Sequence, residues 1–249
     1  MPKLILKIMS DLHFEYHSDQ GLAWIDALDP SGVDVLVLAG DIAEVHQGAL
    51  KQALISFCER YPEVIFVPGN HEYYHSSISE VELALQELKL IPNLHILTRR
   101  SVVIKGQRFI GATLWFTQRD DSAQAMWQLR LNDFHKIKGG FEEWVYKEAI
   151  KDAQYLTQEI RAGDVVVTHH IPSARGVAPR WQESIEGFGR FFVHSLPEEL
   201  VTKSRLWCHG HGHDSVQTDL PNHTLIANPF GYLNHEENHQ FNPKLLFEI

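Results

Sequence analysis

Short apolar runs alternate with amphipathic segments along the first third of the chain. The runs 3–9, 34–38 and 63–67 are nearly continuous, and each ends at polar or glycine residues. A stripe with the spacing of one helix face separates the last two runs: Leu50, Leu54, Phe57 and Cys58. Apolar strands joined by amphipathic helices are typical of βαβ units around a buried sheet. The pattern therefore predicts an α/β fold.

The same reasoning predicts the elements of the remaining chain. A Ser79-x-x-Glu82 capping box indicates the start of a second helix, and Gly106 indicates a hairpin. A long helix is predicted over 145–160, closed by Gly163. Further apolar runs predict strands over 94–97, 101–105, 108–113, 164–168, 205–208, 216–219, 224–227 and 245–249.

Two segments are less regular than the rest. We predict that residues 115–141 form a cap or rim segment with some helix. Its aromatic residues lie among charged residues, and they are Trp115, Phe116, Trp127 and Phe134. Residues 171–192 form a predicted loop that is rich in arginine, glycine and proline. Since the sequence contains no repeat, linker or low-complexity segment, we expect a single domain over residues 1–249.

Composition narrows the classes of function. The 249 residues are 44% hydrophobic and 22% charged, the balance of an ordinary globular protein. The formal net charge of −10 argues against sequence-independent binding to nucleic acid or an anionic membrane, because both need a basic surface. No apolar run approaches the roughly 20 residues of a transmembrane helix, and the N-terminus lacks a signal-peptide pattern. With only two cysteines and hence no disulfide framework, we expect a cytoplasmic protein without a membrane partner.

Polar residues collect where the predicted strands end. They are Asp11, His13, Asp41, Asn70, His71, His169, His211 and His213. In open α/β sheets the ligand crevice lies beyond the carboxyl ends of the strands. About 30 residues separate Asp11 from Asp41, and Asp41 from Asn70, which is room for one helical crossover each. We therefore expect these side chains to converge on one edge of the molecule.

The donor types predict metal ligation. The chain has 16 histidines, and histidine is the commonest metal ligand. Carboxylate, imidazole and amide oxygen together suit Mn, Fe, Ni or Zn. Seven such donors exceed the needs of one ion, whereas two ions about 3.5–4 Å apart can share a carboxylate and clamp a phosphoryl group. Taken singly, most of these positions have a structural alternative: a helix cap for Asp11 or Asp41, a solvated loop for His13, a turn for Asn70, and core packing for His71 or His169.

Five sequence blocks carry a resemblance to a known family. They are Asp11-x-His13, Gly40-Asp41, Gly69-Asn70-His71-Glu72, the strand-terminal His169, and Gly210-His211-x-His213. In this order they resemble the calcineurin-like metallophosphoesterases, from about residue 4 to residue 233. Four shorter stretches resemble one branch of this family, the bacterial Ser/Thr-phosphatase-like proteins: 111–115, 132–134, 168–170 and 228–232. The resemblance implies a four-layer sandwich of two facing mixed β-sheets flanked by helices.

The resemblance also implies a role for each residue of these blocks. The first divalent ion would be held by Asp11, His13 and His213, and the second by Asn70, His169 and His211. Asp41 would bridge the two ions, and a metal-bridging hydroxide of lowered pKa would attack phosphorus. His71 would protonate the leaving oxygen or stabilise its charge. Glu72 is expected to orient its loop rather than to touch the substrate.

Four further residues are predicted near the substrate: His170, Arg175, Arg180 and His209. Either His169 or His170 could be the ligand at this point of the chain, and we favour His169 because it directly follows the strand. Arg175 and Arg180 carry planar guanidinium groups that suit phosphate, and solvated loop arginines are the alternative. His209 is expected beside the ligands or in the pocket.

These observations predict a metal-dependent hydrolase of a phosphate mono- or diester, with a small molecule as the substrate. One alternative is a Mn-dependent nuclease, which the acidic charge of the chain disfavours. The other is a non-catalytic binding scaffold of the same fold, which the complete set of ligands disfavours. The sequence leaves open the natural substrate, the preference between monoesters and diesters, the metal and the oligomeric state.

Overall fold

The computed structural model of the chain describes residues 3–117, 125 and 128–249. In chain order its strands are β1 (Ile5–Met9), β2 (Val35–Leu38), β3 (Glu63–Phe66), β4 (Leu94–Ile96), β5 (Arg100–Ile104), β6 (Gln107–Ala112), β7 (Val165–Thr168), β8 (Leu206–His209), β9 (Val216–Leu220), β10 (His223–Ala227), β11 (Gly231–Tyr232), β12 (Glu236–Glu237) and β13 (Leu246–Glu248). The α-helices of the described residues are Leu22–Asp26, Ala49–Arg60, Ile78–Leu88, Asp133–Lys136, Phe141–Glu159 and Glu198–Val201.

The strands of the described residues form two large sheets and a short ribbon of β11 and β12. In the first sheet β1 to β4 run parallel in sequence order, and β13 lies antiparallel beside β1. The second sheet has the order β5-β6-β7-β8-β10-β9, with a parallel centre and antiparallel strands at both edges. Parallel neighbours need crossover connections, which the helices provide.

The two large sheets face each other across an apolar layer. Val35 and Val37 of β2 and Val167 of β7 belong to that central layer. The alternate residues point outward, so that Leu36 packs against the helices of the first sheet and Val166 against those of the second. The architecture therefore has four layers, and the prediction of two facing mixed sheets flanked by helices is confirmed.

Helix starts show where local pattern alone was insufficient. The helix predicted from Ser79 begins at Ile78, and its capping box is formed by Ser77 and Glu80. The Ser77 hydroxyl accepts from the Glu80 N–H at 3.3 Å, and the Glu80 carboxylate accepts from the Ser77 N–H at 2.6 Å. The prediction of Ser79 as the cap is therefore wrong, because Ser79 lies inside the helix.

The segment predicted as a cap or rim falls partly outside the described residues. Residues 118–124, 126 and 127 lie outside them, and with them the predicted rim residue Trp127. Trp115 and Phe116 are buried in the core beside the helix Phe141–Glu159. Across the part of the chain that the structure describes, no helix has both the length and the apolar character of a membrane span.

Candidate metal centre

The eight predicted site residues follow five strands. They come after β1 (Asp11 and His13), β2 (Asp41), β3 (Asn70 and His71), β7 (His169) and β8 (His211 and His213). Three of these strands belong to one sheet and two to the other. Since the sheets face each other, the loops beyond their carboxyl ends meet at one edge, and the structure brings all eight residues together there.

The backbone of these loops is strained at the donor residues. Five of them adopt a left-handed conformation with φ between 46° and 67°: Asp11, His13, Asp41, His211 and His213. This conformation is uncommon for residues other than glycine and costs on the order of 1 kcal/mol or more at each position. Such strain persists where the surrounding structure fixes it, and it concentrates at functional sites.

Glycines allow the loops to approach one another. A Cβ atom at Gly69 would lie 2.2 Å from Asp41 Oδ1, and one at Gly210 would lie 2.6 Å from Asp11 Oδ2. Both distances are shorter than any real contact, so a side chain at either position would displace a carboxylate of the cluster. The two glycines therefore serve the close packing of the donors.

The first group of donor atoms comes from Asp11, His13 and His213, which lie within 4.8 Å of one another. His213 Nε2 is 3.1 Å from His13 Nε2 and 3.6 Å from Asp11 Oδ1. Donors bound at about 2.1 Å to one ion are themselves about 3.0–3.4 Å apart in octahedral or tetrahedral geometry. The observed spacing therefore fits a shared divalent cation.

The second group comes from Asp41, His169 and His211. His169 Nε2 lies 3.2 Å from His211 Nδ1 and 3.4 Å from Asp41 Oδ2. The amide oxygen of Asn70 lies 3.0 Å from the same His169 nitrogen. These spacings also match the edges of one coordination shell, so the residues fit a second cation.

Asp41 lies between the two groups. Its Oδ2 is 3.8 Å from His13 Nε2 on one side and 3.4 Å from His169 Nε2 on the other. Its Oδ1 accepts a hydrogen bond of 2.8 Å from the His71 N–H. The carboxylate is therefore held by the chain while one oxygen faces donors of both groups.

Hydrogen bonds behind the donors set their orientation. His169 Nδ1 donates to a main-chain carbonyl oxygen at 2.9 Å, and His13 Nδ1 donates to Glu15 Oε1 at 3.0 Å. Because a carbonyl or carboxylate oxygen accepts, the proton of each ring lies on Nδ1. The Nε2 atom of each ring therefore has a lone pair available for a metal ion. The Asn70 amide donates to Asp133 Oδ1 at 2.9 Å, which turns its own oxygen toward the cluster. Outer contacts of this kind are typical of metal ligands.

The electrostatics of the cluster favour a cation. Burial raises the pKa of Asp11 to about 7, and it raises the pKa of Asp41 well above its ordinary range. Burial also lowers the pKa of His213 to about 4 and the pKa values of His13 and His211 well below the usual range. The neutral imidazoles are the ligand form that a divalent cation requires, and a bound cation would offset the cost of ionising the two buried carboxyl groups.

Glu72 joins the loops that follow β2 and β3. Its Oε2 accepts from the N–H groups of Asp41 at 3.0 Å and Gly69 at 2.5 Å, and its Oε1 accepts from the Ile42 N–H at 2.7 Å. Burial raises the pKa of Glu72 to about 8, and these donors oppose that effect by stabilising the carboxylate. The contacts agree with the expectation that Glu72 orients the loop.

His71 lies at the edge of the cluster and lines the adjoining cavity. Its Nδ1 donates to Glu15 Oε1 at 2.8 Å, and its Nε2 is 3.2 Å from the Tyr232 hydroxyl. With His13 and Asp41 it also forms a third group of three close donor atoms. The ring is therefore fixed on one side by a carboxylate and turned toward the cavity on the other.

The neighbouring histidines differ in their surroundings. His169 lies in the donor cluster, whereas the ring of His170 packs 4.3 Å from the ring of His211, and its nitrogens have no hydrogen-bond partner within the described ranges. His209 Nδ1 donates to the Gly210 carbonyl oxygen at 3.1 Å. Neither His170 nor His209 lies among the described residues of the cavity wall, and their roles toward substrate stay predictions.

The two loop arginines form ion pairs. Arg175 Nε donates to Glu198 Oε2 at 2.6 Å, and Arg180 Nε donates to Asp214 Oδ2 at 3.0 Å. Both side chains are exposed and are absent from the described lining of the cavity. The structure thus gives both arginines a local partner, and contact with phosphate stays a prediction.

Several supporting residues had no role in the sequence analysis. Glu15 accepts from both His13 and His71, and Tyr74 donates to Asp133 at 2.7 Å. The sequence offered one signal for Glu15, which stands two residues after a predicted ligand. Its contact with His71 spans 56 residues of sequence and depends on the tertiary fold.

Comparison with known proteins identifies the family to which the chain is similar. A model of the calcineurin-like phosphoesterases matches residues 6–215. Uncharacterized protein L509 of Acanthamoeba polyphaga mimivirus is 26% identical to the chain, over 98% of the chain and 96% of that protein.

Two crystal structures share the fold at low sequence identity. Phosphopantetheinyl hydrolase (PptH) from Mycobacterium tuberculosis is 16% identical with a TM-score of 0.66, over 92% of this chain and 90% of that one. A dimetal phosphatase from Danio rerio is 14% identical with a TM-score of 0.50, over 90% of this chain and 86% of that one. Since the family model covers most of the sequence and the sandwich matches, the chain belongs to the calcineurin-like phosphoesterase family of metal-dependent phosphate ester hydrolases.

Proposed function

We propose that the chain hydrolyses a phosphate mono- or diester at a pair of divalent cations. The observation that carries the proposal is Asp41 Oδ2, which faces His13 Nε2 at 3.8 Å and His169 Nε2 at 3.4 Å. An oxygen between two donor groups is where a carboxylate that bridges two ions would lie. The proposed donors are Asp11, His13 and His213 for one cation and Asn70, His169 and His211 for the other.

The chain's own residues supply orientation and a proton. When bound, the two cations lower the pKa of water and neutralise the oxygens of an in-line displacement at phosphorus. Since His71 Nδ1 donates to Glu15, Nε2 is the nitrogen that would face a leaving oxygen. Burial lowers the pKa of His71, and the negative charge of a bound phosphate acts in the opposite direction. The proposed role requires a proton on Nε2 when the leaving oxygen departs.

Two alternative functions make different demands on the site. A scaffold that had lost catalysis would not retain a full set of donors, whereas all seven predicted donors lie in the cluster. A nuclease needs a basic groove along the strand. Among the described residues that line the cavity, Arg130 is the single lysine or arginine, which favours a small substrate.

The test combines metal content with a substrate screen. Protein purified without chelator is expected to carry about two ions per chain and to hydrolyse at least one member of a Mn-supplemented panel. The panel contains monoesters, diesters, nucleotides and single-stranded DNA, together with a phosphopantetheinyl ester because the Mycobacterium tuberculosis neighbour is named for that group. A content far below one ion, with no hydrolysis, would contradict the proposal, and preferential cleavage of DNA would favour the nuclease.

The role of His71 predicts a dependence on the leaving group. His71→Ala is expected to slow hydrolysis of an alkyl ester about 100-fold, because a poor leaving oxygen needs a proton. Hydrolysis of a nitrophenyl ester should slow far less, since nitrophenolate leaves without one. Rates for a series of leaving groups check this, with metal content measured in parallel.

Glu15→Gln is the companion variant, because it removes the charge behind His71 while keeping the ring. Glu15 also accepts from His13, so metal content is measured for this variant as well. We expect the same dependence on the leaving group at a smaller amplitude. Equal slowing of all esters would speak against a proton donor. Loss of a bound ion in His71→Ala would instead make His71 a ligand, as its group with His13 and Asp41 permits.

A further inference from the structure

The donor cluster opens into a cavity of about 450 Å³. Asp41, Asn70, His71, His211 and His213 form its floor. A volume of this size is typical of sites for small ligands. An ester bound at the proposed cations would therefore have this space for its alcohol group.

One wall of the cavity is apolar. It is built by the segment after β7, which contains Ile171, Val177, Ile185 and Phe188. Ile171, Val177 and Val193 form a small buried cluster against which Ile185 packs. Hydrogen bonds fix the segment, among them the Ile171 N–H to the Phe192 carbonyl at 3.0 Å. The wall is therefore a formed surface rather than a collection of isolated side chains.

The cavity offers few partners for a second negative charge. Arg130 is its one basic residue other than histidine within the described lining, whereas Asp133, Asp214 and Glu236 are acidic. Arg180 and the Trp181 indole N–H both bind Asp214, at 3.0 and 2.9 Å. These bonds neutralise Asp214 and leave the indole ring as part of the wall.

We propose that the substrate is a phosphate ester of a largely apolar alcohol without a negative charge, an aryl or medium-chain alkyl group that lies against this wall. The inference rests on the proposed function, because the phosphate would lie at the cations. Apolar contact gives affinity in proportion to the area removed from water. A negatively charged alcohol would lose its hydration there and face the acidic side chains of Asp133 and Glu236 instead.

The first measurement compares esters that differ only in the alcohol. Octyl phosphate, glycerol 3-phosphate and 3-carboxypropyl phosphate have primary alcohols of similar acidity, so differences in kcat/KM report recognition rather than bond cleavage. We expect octyl phosphate to exceed glycerol 3-phosphate by about 10- to 100-fold. The carboxylated ester should be the poorest. Equal values for the three esters would overturn the inference.

A positive charge placed in the wall should reduce the preference for octyl phosphate over the carboxylated ester. Ile185→Lys is expected to lower kcat/KM for octyl phosphate and raise it for 3-carboxypropyl phosphate, changing their ratio at least about 10-fold. The matched control is Ile150→Lys on the exposed face of the helix Phe141–Glu159, which should leave the ratio unchanged. Metal content shows that each variant still forms the site. An unchanged ratio in Ile185→Lys overturns the inference.

A binding measurement separates this inference from the proposed function. Octylphosphonate cannot be hydrolysed, and calorimetry with the purified holoprotein gives its Kd beside that of 3-hydroxypropylphosphonate. Tighter binding of the octyl compound without turnover of any ester supports the apolar wall and overturns the proposed function alone. Turnover of esters without preference in either assay overturns the wall and leaves the proposed function standing.

Discussion

Replacing Asp41 with asparagine is expected to lower turnover of a chromogenic phosphodiester by about 1000-fold. Its Oδ2 faces donors of both groups, and asparagine would present a neutral amide there. A cation clamp stabilises the transition state by several kcal/mol, and about 4 kcal/mol corresponds to this loss of rate. The rate at saturating Mn, together with metal content, measures the effect.

The same substitution is expected to preserve the fold. Asp41 is 1% exposed, and burial raises the pKa of its carboxyl well above the ordinary range, so the ionised form is costly in the metal-free protein. Asparagine has the same shape, can still accept from the His71 N–H and tolerates the φ of 55°. We therefore expect the Tm in chelator to stay equal or rise.

The control for charge alone is Asp26→Asn. Asp26 is exposed at the end of the helix Leu22–Asp26 and pairs loosely with Arg60 at 3.6 Å. It should retain the turnover and metal content of the unchanged protein. Normal turnover in Asp41→Asn would remove the bridging role, and unfolding of that variant would show that the carboxylate is structural.

The strands and the donor residues could both be predicted from the sequence, because both depend on where the apolar runs end. Continuous apolar runs such as 34–38 form strands buried on both faces, and the polar residue that follows each run must lie at the sheet edge. Asp41, Asn70 and His169 are of this kind. The facing of the two sheets came only from the family resemblance, because periodicity cannot say which sheet a strand joins.

Other features needed tertiary information. The pattern Ser-x-x-Glu occurs at both Ser77 and Ser79, and packing of Ile78 on the core selects the earlier start. Residues 171–192 were predicted only as a loop rich in arginine. Arg175 and Arg180 of this segment pair with Glu198 and Asp214 at the surface, while its apolar residues form a wall of the cavity. No regular spacing in the sequence distinguishes the two sets of residues.

Replacing Glu72 with alanine is expected to lower the free energy of unfolding by about 3–5 kcal/mol. The carboxylate accepts from the N–H groups of Asp41, Ile42 and Gly69, all buried. Each buried donor left without an acceptor costs about 1–3 kcal/mol, and we expect the lower part of that range because water can enter the space left by the side chain. Because these groups lie in the two loops that carry Asp41 and Asn70, turnover and metal content should fall with stability. Urea denaturation in chelator and in Mn measures the loss.

Two further variants test this interpretation: Glu72→Gln is a conservative replacement, and Glu59→Ala is a surface control. Glutamine keeps the volume but offers one acceptor oxygen, and its amide N–H₂ would face N–H donors, so we expect a loss between zero and that of alanine. Glu59 is exposed on the helix Ala49–Arg60, where alanine should change stability by no more than about 0.5 kcal/mol. If Glu72→Ala unfolded at the same urea concentration as Glu59→Ala, the loops would be held by other contacts. Glu72 would then be an incidental neighbour of the cluster rather than the residue that positions Asp41.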